Sequence, residues 1–196
     1  MKNKKLTIFQ QVRDLEEWQA VAFSAAVLER MLPNYQLFCE VTKFTDPSQY
    51  RNTLNTIWEW LSVPKAKINF AVQLEKIEAD VPDPENFNNF GVYPAIDTAM
   101  SMSAIILLIM GEDLQGAVVV SKLSQGTVEA YIDATAPPPL SDEQSKQHPL
   151  MLWEVSVQQA LLDLLADCPT NARTCKLLRE IAIGEGMSNI GIDVNP

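Results

Sequence analysis

Residues 93 to 111, YPAIDTAMSMSAIILLIMG, carry one formal charge in nineteen positions, Asp97. A stretch so poor in charge has to leave water, and its length decides where it goes. The unbroken apolar run, Ala104 to Met110, falls far short of the roughly 20 residues that cross a bilayer, so a core helix is expected and not a membrane anchor. Pro94 suits the first helical position and Gly111 a left-handed C-cap. Asp97 would then stand fourth, where unpaired backbone amides and the positive end of the helix dipole favour a carboxylate. Its expected role is a structural anion bonded to amides of the preceding Gly91-Val92-Tyr93 turn.

A helix that enters a core needs others around it. In DLEEWQAVAFSAAVLERML, Asp14 and Glu17 are spaced as a capping box, and Trp18, Val21, Ala22, Ala25, Leu28 and Leu32 recur at helical intervals. Phe23, Val27 and Met31 add a second apolar row, which marks a second central helix. Pro33 is expected to end it, with Asn34 capping a short helix through Tyr35, Leu37, Phe38 and Val41. Asp46, Pro47 and Gln49 read as the boxed start of the next, whose buried stripe is Tyr50, Leu54, Ile57, Trp58 and Leu61. Another is expected from Lys65 to Asp80, followed by an irregular segment, VPDPENFNNFGVY.

Between residues 113 and 135 local propensity allows strands, through Val118 to Val120 and two glycines. Leu114, Ala117, Val118, Val128, Tyr131 and Ile132 also fit one helical stripe, and helix is the expectation. PPPLSDEQ reads as an extended connector into a capping box of Ser141 and Gln144. LMLWEVSVQQALLDLLADC is helical and stopped by Pro169, and Thr170 is expected to cap a last helix ending near Gly184. The fold class is therefore all-α: a single domain over residues 1–196, a bundle of about eight helices around the two central ones. Residues 1–6 are expected to be a flexible end and residues 185–196 a C-terminal tail.

The 196 residues are 47% hydrophobic, enough for one substantial core, and 15 Lys and Arg against 25 Asp and Glu give a net charge of −10. That balance disfavours nucleic acid, and no basic stripe compensates for it. Lys2, Lys4 and Lys5 are not followed by the apolar run of a signal peptide, since Gln10, Gln11, Arg13 and Asp14 intervene. Cys39, Cys168 and Cys175 are an odd number, which fits reduced thiols and a cytoplasmic protein, although a Cys168 to Cys175 bridge is conceivable.

Several segments together resemble the bacterial YjaG-like family, a domain of unknown function. They are Glu29-Arg30-Met31, Pro33-Asn34-Tyr35, Phe38-Cys39, Tyr50-Arg51, Ile57-Trp58-Glu59, Ala66-Lys67, Asn69-Phe70, Gln73-Leu74-Glu75-Lys76, Gly91 to Asp97, Val120-Ser121-Lys122 and Ser188-Asn189-Ile190-Gly191-Ile192. The resemblance implies an all-helical protein and supplies no activity. The triple proline at 137–139 departs from the family's pattern.

Known chemistry is mostly excluded. His148 is the only histidine, so neither a di-iron bundle site nor a zinc site can be assembled. The commonest hydrolase and nucleotide signatures are absent, and DPENFNNFGVYP fails as a calcium loop because Asn88 and Pro94 stand where glycine and a bidentate carboxylate belong. Cys39 sits among apolar neighbours and reads as a small buried hydrophobe. Trp18, Trp58 and Trp153 fall on apolar faces, while Trp60 falls off the stripe and is a candidate for an interface.

Two readings of function remain. In the leading one the chain is a small cytoplasmic protein that binds a protein partner, or a second copy of itself as a homodimer, without catalysis. Glu75, Glu78, Asp80, Asp83 and Glu85 would form an acidic landing patch for a basic partner, with no metal, cofactor, nucleic acid or membrane involved. In the alternative, Glu75 and Glu78, three apart on one helix, join Glu59 and Asp97 to hold a divalent metal for hydrolysis of a phosphorylated small molecule or nucleotide. Tyr93, Asp97, Glu59, Glu75 and Glu78 are the candidate functional or pocket residues.

Overall fold

The protein is described from a computed structural model, covering residues 6–137 and 140–193. Its helices are α1 (Ile8–Arg13), α2 (Glu17–Thr42), α3 (Ser48–Ser62), α4 (Phe70–Ala79), α5 (Val92–Met110), α6 (Gly116–Thr135), α7 (Asp142–Lys146), α8 (Pro149–Asp167) and α9 (Ala172–Ile183), with a 3₁₀ turn at Pro84–Asn86. Among the described residues there is no strand, only an isolated bridge between Met187 and Asp193. The all-α expectation holds, and α2 and α5 are the central pair: α2 packs on α5, α6, α9, α3 and α8. From Ala20 to Tyr35 every residue of α2 is buried. The apolar α5 is long and hydrophobic enough to cross a membrane by composition, yet 61% of it is buried inside the bundle.

The structure corrects several boundaries. Pro33 does not end α2, which runs on to Thr42. A proline removes an N–H and crowds the turn before it. Two carbonyls of that turn take donors from elsewhere: Arg30 O accepts from the Asn189 N–H at 3.1 Å, and Met31 O from the Thr98 hydroxyl at 3.1 Å. Asn34 is therefore mid-helix and caps nothing. Thr7 with Gln10 caps α1, an unforeseen short helix, and Gln19 accepts from the Glu16 N–H, so Asp14 and Glu17 are not the box. Helix α3 starts at Ser48 with Pro47, not Asp46, at the N-cap; Asp46 accepts from the Ser48 N–H one residue outside it, and Gln49 turns to Thr53 and Gln73 instead of closing a box. Helix α4 starts at Phe70, capped by Asn69, because Lys65 takes a left-handed turn at φ 63°. Asn171, not Thr170, caps α9.

The remaining expectations fare better. Residues 116–135 form one helix, Ser141 and Gln144 make their box, and Gly111 ends α5 in the left-handed conformation at φ 74°. All three cysteines are free thiols. Gly116 lets α6 approach α5 closely, since a Cβ there would lie 2.5 Å from Ala104 O. The triple proline, apart from residue 137, and residues 1–5 of the expected flexible end lie outside the described residues.

The largest departure is at the other end. Residues 187–193 are no tail: Ser188 and Asn189 are fully buried and Ile190 nearly so. Ile190 joins Val128, Ile132 and Met151 in a second, smaller apolar cluster between α6 and α8.

Candidate functional site

In the middle of α2, two adjacent charged residues are both buried, Glu29 at 3% and Arg30 at 1% exposure. Each needs compensation, because an unpaired buried charge is costly. Arg30 donates from Nε (3.2 Å) and Nη2 (3.1 Å) to Glu154 Oε2 on α8, and its guanidinium lies 4.2 Å from the centre of the Trp153 ring. Glu29 faces the other way. It accepts from Arg51 Nη1 (2.8 Å) and Trp58 Nε1 (2.8 Å) and forms an ion pair with Arg179 Nε (3.3 Å), tying α3 and α9 to α2.

The Arg30 side continues as a chain of hydrogen bonds whose direction can be read. Glu154, bridged to Arg30, can only accept, so the Ser124 hydroxyl donates to its Oε1 at 2.6 Å. Ser124 Oγ and O then accept from Asn189 Nδ2 at 3.1 and 3.2 Å. That fixes Asn189 Oδ1 as an acceptor, and Asn34 Nδ2 donates to it at 2.9 Å. The chain stops there. Asn34 Oδ1 is buried and has no hydrogen-bond partner, alone in this among the buried side-chain polar atoms of the described residues.

Asn34 lines a pocket of about 360 Å³, within the size range of ligand sites. Its walls are the second half of α2 (Leu37, Phe38, Val41, Thr42), the turn into α5 (Asn89, Phe90, Gly91, Pro94), Tyr131 of α6, and Ile190, Gly191 and Ile192 of the C-terminal segment. No charged side chain is among them. Leu37 and Val41, one turn apart on α2, are 40% and 70% exposed. Phe90 and Tyr131 meet with ring centres 6.0 Å apart. Gly191, at φ 82°, takes the left-handed turn that folds the segment back into place.

The residues singled out from sequence are scattered. Glu59, Glu75, Glu78, Asp83 and Glu85 are exposed, and none of the five forms an ion pair among the described residues. Asp80 is half-buried and accepts from the Thr45 hydroxyl, while its carbonyl takes the Tyr35 hydroxyl at 2.7 Å. Among the described residues no three His, Cys, Asp or Glu side chains cluster as metal ligands, so Glu59, Glu75, Glu78 and Asp97 are not brought together. Helix α5 starts at Val92, two residues earlier than expected, and Asp97 lies past its first turn. It binds no amide of the preceding turn; Oδ2 accepts from the Thr127 hydroxyl of α6 at 2.7 Å. Burial pushes the Asp97 carboxyl above the usual carboxylate range, and that hydrogen bond pulls only partly against it. Burial also raises the Cys39 and Cys175 thiols, which leaves neither poised as a nucleophile.

Tyr93 is 55% exposed, next in sequence to the pocket wall at Pro94 and 6.3 Å from the Phe90 ring. The acidic segment 80–85 leads directly to the pocket's rim. Phe87 pins it by edge contacts with Phe38 of α2 (4.9 Å) and Phe44 just beyond that helix (5.6 Å), and the rim begins two residues later at Asn89. Trp60 is half-buried beside a wider, more open hollow with Lys67, Ile109 and Met110. The pocket residues escaped the sequence reading except Tyr93's neighbourhood. A signal was present, since the Pro33, Phe38, Gly91 and Ser188 motif segments, far apart in sequence, all meet here.

Comparison with known proteins agrees with this architecture. The family described as "Protein of unknown function (DUF416)" matches residues 7–193. The "Uncharacterized protein YjaG" of Escherichia coli is 43% identical over 180 residues, covering 91% of this chain and 92% of that one. An uncharacterized protein of Haemophilus influenzae is 36% identical over 189 residues, covering 95% and 96%. The crystal structure of a DUF416 family protein from Shewanella baltica superposes with a TM-score of 0.88 at 38% identity, over 96% of this chain and 100% of that one.

Proposed function

The chain belongs to the DUF416 family of proteins of unknown function, and from the site's own geometry we propose that it works by binding a protein partner, non-catalytically, in the cytoplasm. The pocket beside Asn34 receives an apolar anchor of that partner. Glu75, Glu78, Asp80, Asp83 and Glu85 steer a basic flank of it. The observation that carries this reading is the pairing of a half-open, uncharged pocket, whose rim exposes Leu37 and Val41, with an acidic segment that runs into that rim. Apolar anchors supply affinity and surrounding charge supplies orientation and on-rate.

A photo-crosslinking residue placed at Val41, with Glu59 as control position, tests it in living bacteria. The expected product is a cross-link at position 41 to a segment with an apolar or aromatic residue flanked by Lys or Arg, lost when Leu37→Glu is added. Cross-links at position 59 alone would overturn it. Cross-links to a second copy of this chain would make the face a homodimer interface and overturn the basic-partner reading.

A further inference from the structure

We propose that the outer groove between α5 and α6 receives the ammonium group of a lysine from the partner's basic flank, seated among the rings of Phe90, Tyr93 and Tyr131 and held by Asp97 Oδ1. This rests on the binding reading above and names one residue of what is bound.

The contacts of α5 and α6 run in opposite directions along the chain, for Gly116 packs on Ala104 and Thr127 donates to Asp97. The two helices are therefore antiparallel. One turn beyond the Asp97–Thr127 bond, at helical spacings of four, Tyr93 stands on α5 and Tyr131 on α6. Phe90 bridges them, its ring centre 6.3 Å from that of Tyr93 and 6.0 Å from that of Tyr131, tilted by 57° and 58°. No ring contact joins the two tyrosines to each other. Three rings thus gather one helical turn from a carboxylate.

That carboxylate has an oxygen to offer. Its Oδ2 accepts from the Thr127 hydroxyl, and its Oδ1 has no hydrogen bond. Because Asn34 Oδ1 alone among the described residues is both buried and unpartnered, Asp97 Oδ1 keeps contact with solvent. The surroundings are open too. On the same face of α5, one turn to either side of Asp97, Tyr93 and Met100 are exposed, and beside Thr127 a Cβ added to Gly126 would meet nothing within 4 Å.

The chemistry selects a cation. No ion pair among the described residues includes Asp97, and burial without an opposing positive charge raises its carboxyl. A cation in the groove offsets that cost, and the negative faces of aromatic rings attract the same charge. Asp83 and Glu85, exposed and likewise without ion pairs, lead along the chain to Phe90 and add to the attraction. Lysine suits the site better than arginine, because a guanidinium fork pairs with two carboxylate oxygens and Thr127 already occupies one.

The test titrates the full chain with three neutral-backbone probes at millimolar concentration: N-acetyl-lysinamide, N-acetyl-argininamide and the uncharged N-acetyl-norleucinamide. Binding is read from the ring resonances of Tyr93 and Tyr131 and the methyl of Met100. The expected result is a saturable shift with lysinamide, weaker binding of argininamide and none of norleucinamide. Asp97→Asn, which keeps an oxygen for Thr127, should weaken lysinamide about tenfold. Norleucinamide carries the same test in the unaltered protein should that variant not fold. Equal binding of norleucinamide, or an unchanged affinity in Asp97→Asn, would overturn the cation site, and tighter binding of argininamide would overturn the choice of lysine. The cross-link at position 41 reports separately on the pocket. A cross-link there with no lysinamide shift would overturn this inference alone, whereas a lysinamide shift with no cross-link would uphold the cation site and overturn the pocket's partner.

Discussion

Glu29 and Arg30 are neighbours in one helix, equally buried and opposite in charge, yet the two sides they serve are built differently. On the Glu29 side the compensating groups come from the edge of the molecule. Arg51 and Arg179 remain 32% and 41% exposed, and Arg179 lines a hollow of about 290 Å³ beside Trp58 together with Lys176 and Glu180. On the Arg30 side the partner, Glu154, is as buried as Arg30 itself, and the polarity it sets passes through Ser124 and Asn189 to Asn34. That side ends at Asn34, beside an uncharged pocket, in a buried oxygen without a hydrogen-bond partner among the described residues. A charge answered from the surface stops at the surface; a charge answered from within dictates the chemistry of what lies beyond it.

The comparison breaks most visibly when one partner of the inner pair is removed. Glu154→Ala leaves a buried guanidinium with no anion beside it and the Ala182 carbonyl at 3.4 Å as an acceptor, and the expected loss of stability is about 3–5 kcal/mol by urea denaturation. A loss below about 1 kcal/mol would mean that water reaches Arg30. Next comes the link to the pocket. Asn189→Ala strands the Asn34 amide, with an expected cost of about 1–3 kcal/mol, and releases the C-terminal segment, so amide hydrogen exchange at residues 188–192 should rise well above that of α2.

The outer side should yield less. Arg51→Ala and Arg179→Ala are each expected to cost about 1 kcal/mol or less, since the arginines are partly solvated and Glu29 keeps the Trp58 N–H in either variant. Losses as large as that of Glu154→Ala would erase the distinction between the two sides.

Asp97 gives the smallest effect and the sharpest sign. It is a partly buried carboxylate whose hydrogen-bond partner is a hydroxyl and not a cation. Because folding raises its pKa, its contribution to stability is fully present below the pKa of the unfolded chain and is lost as pH rises through the higher folded value. Asp97→Asn keeps an oxygen for Thr127 and loses the charge. The variant should therefore match the parent near pH 3 and be slightly more stable at pH 7. A variant less stable than the parent at pH 7 would show that the ionised form is favoured, contrary to the burial.

How much of this was legible in the sequence follows from where each signal resides. Helix α5 was readable because Gly111 and a nearly uncharged run are local features, and α6 because its stripe through Val128 and Ile132 is periodic. Pro33 misled, since a local rule says that proline stops a helix, whereas the groups that pack on and bond to that turn, Asn189 N–H and Thr98 Oγ1, come from about 155 and 65 residues further on. Residues 187–193 have no period and two turns' worth of small and polar groups, which reads as a tail until Asn189 is seen between Asn34 and Ser124. The acidic cluster drew attention because charge is conspicuous in a sequence. The one orphaned oxygen of Asn34 is a property of three-dimensional hydrogen bonding and has no sequence signature at all.

The most direct test of the account is which of the two hollows beside α2 a neutral aromatic probe chooses. N-acetyl-tryptophanamide is titrated into the protein while the isoleucine methyls are followed, with Ile190 and Ile192 reporting on the Arg30 side and Ile183 on the Glu29 side. The account predicts saturable shifts at Ile190 and Ile192, abolished by Leu37→Glu, with Ile183 unmoved. Saturation at Ile183 with Ile190 and Ile192 silent would contradict it.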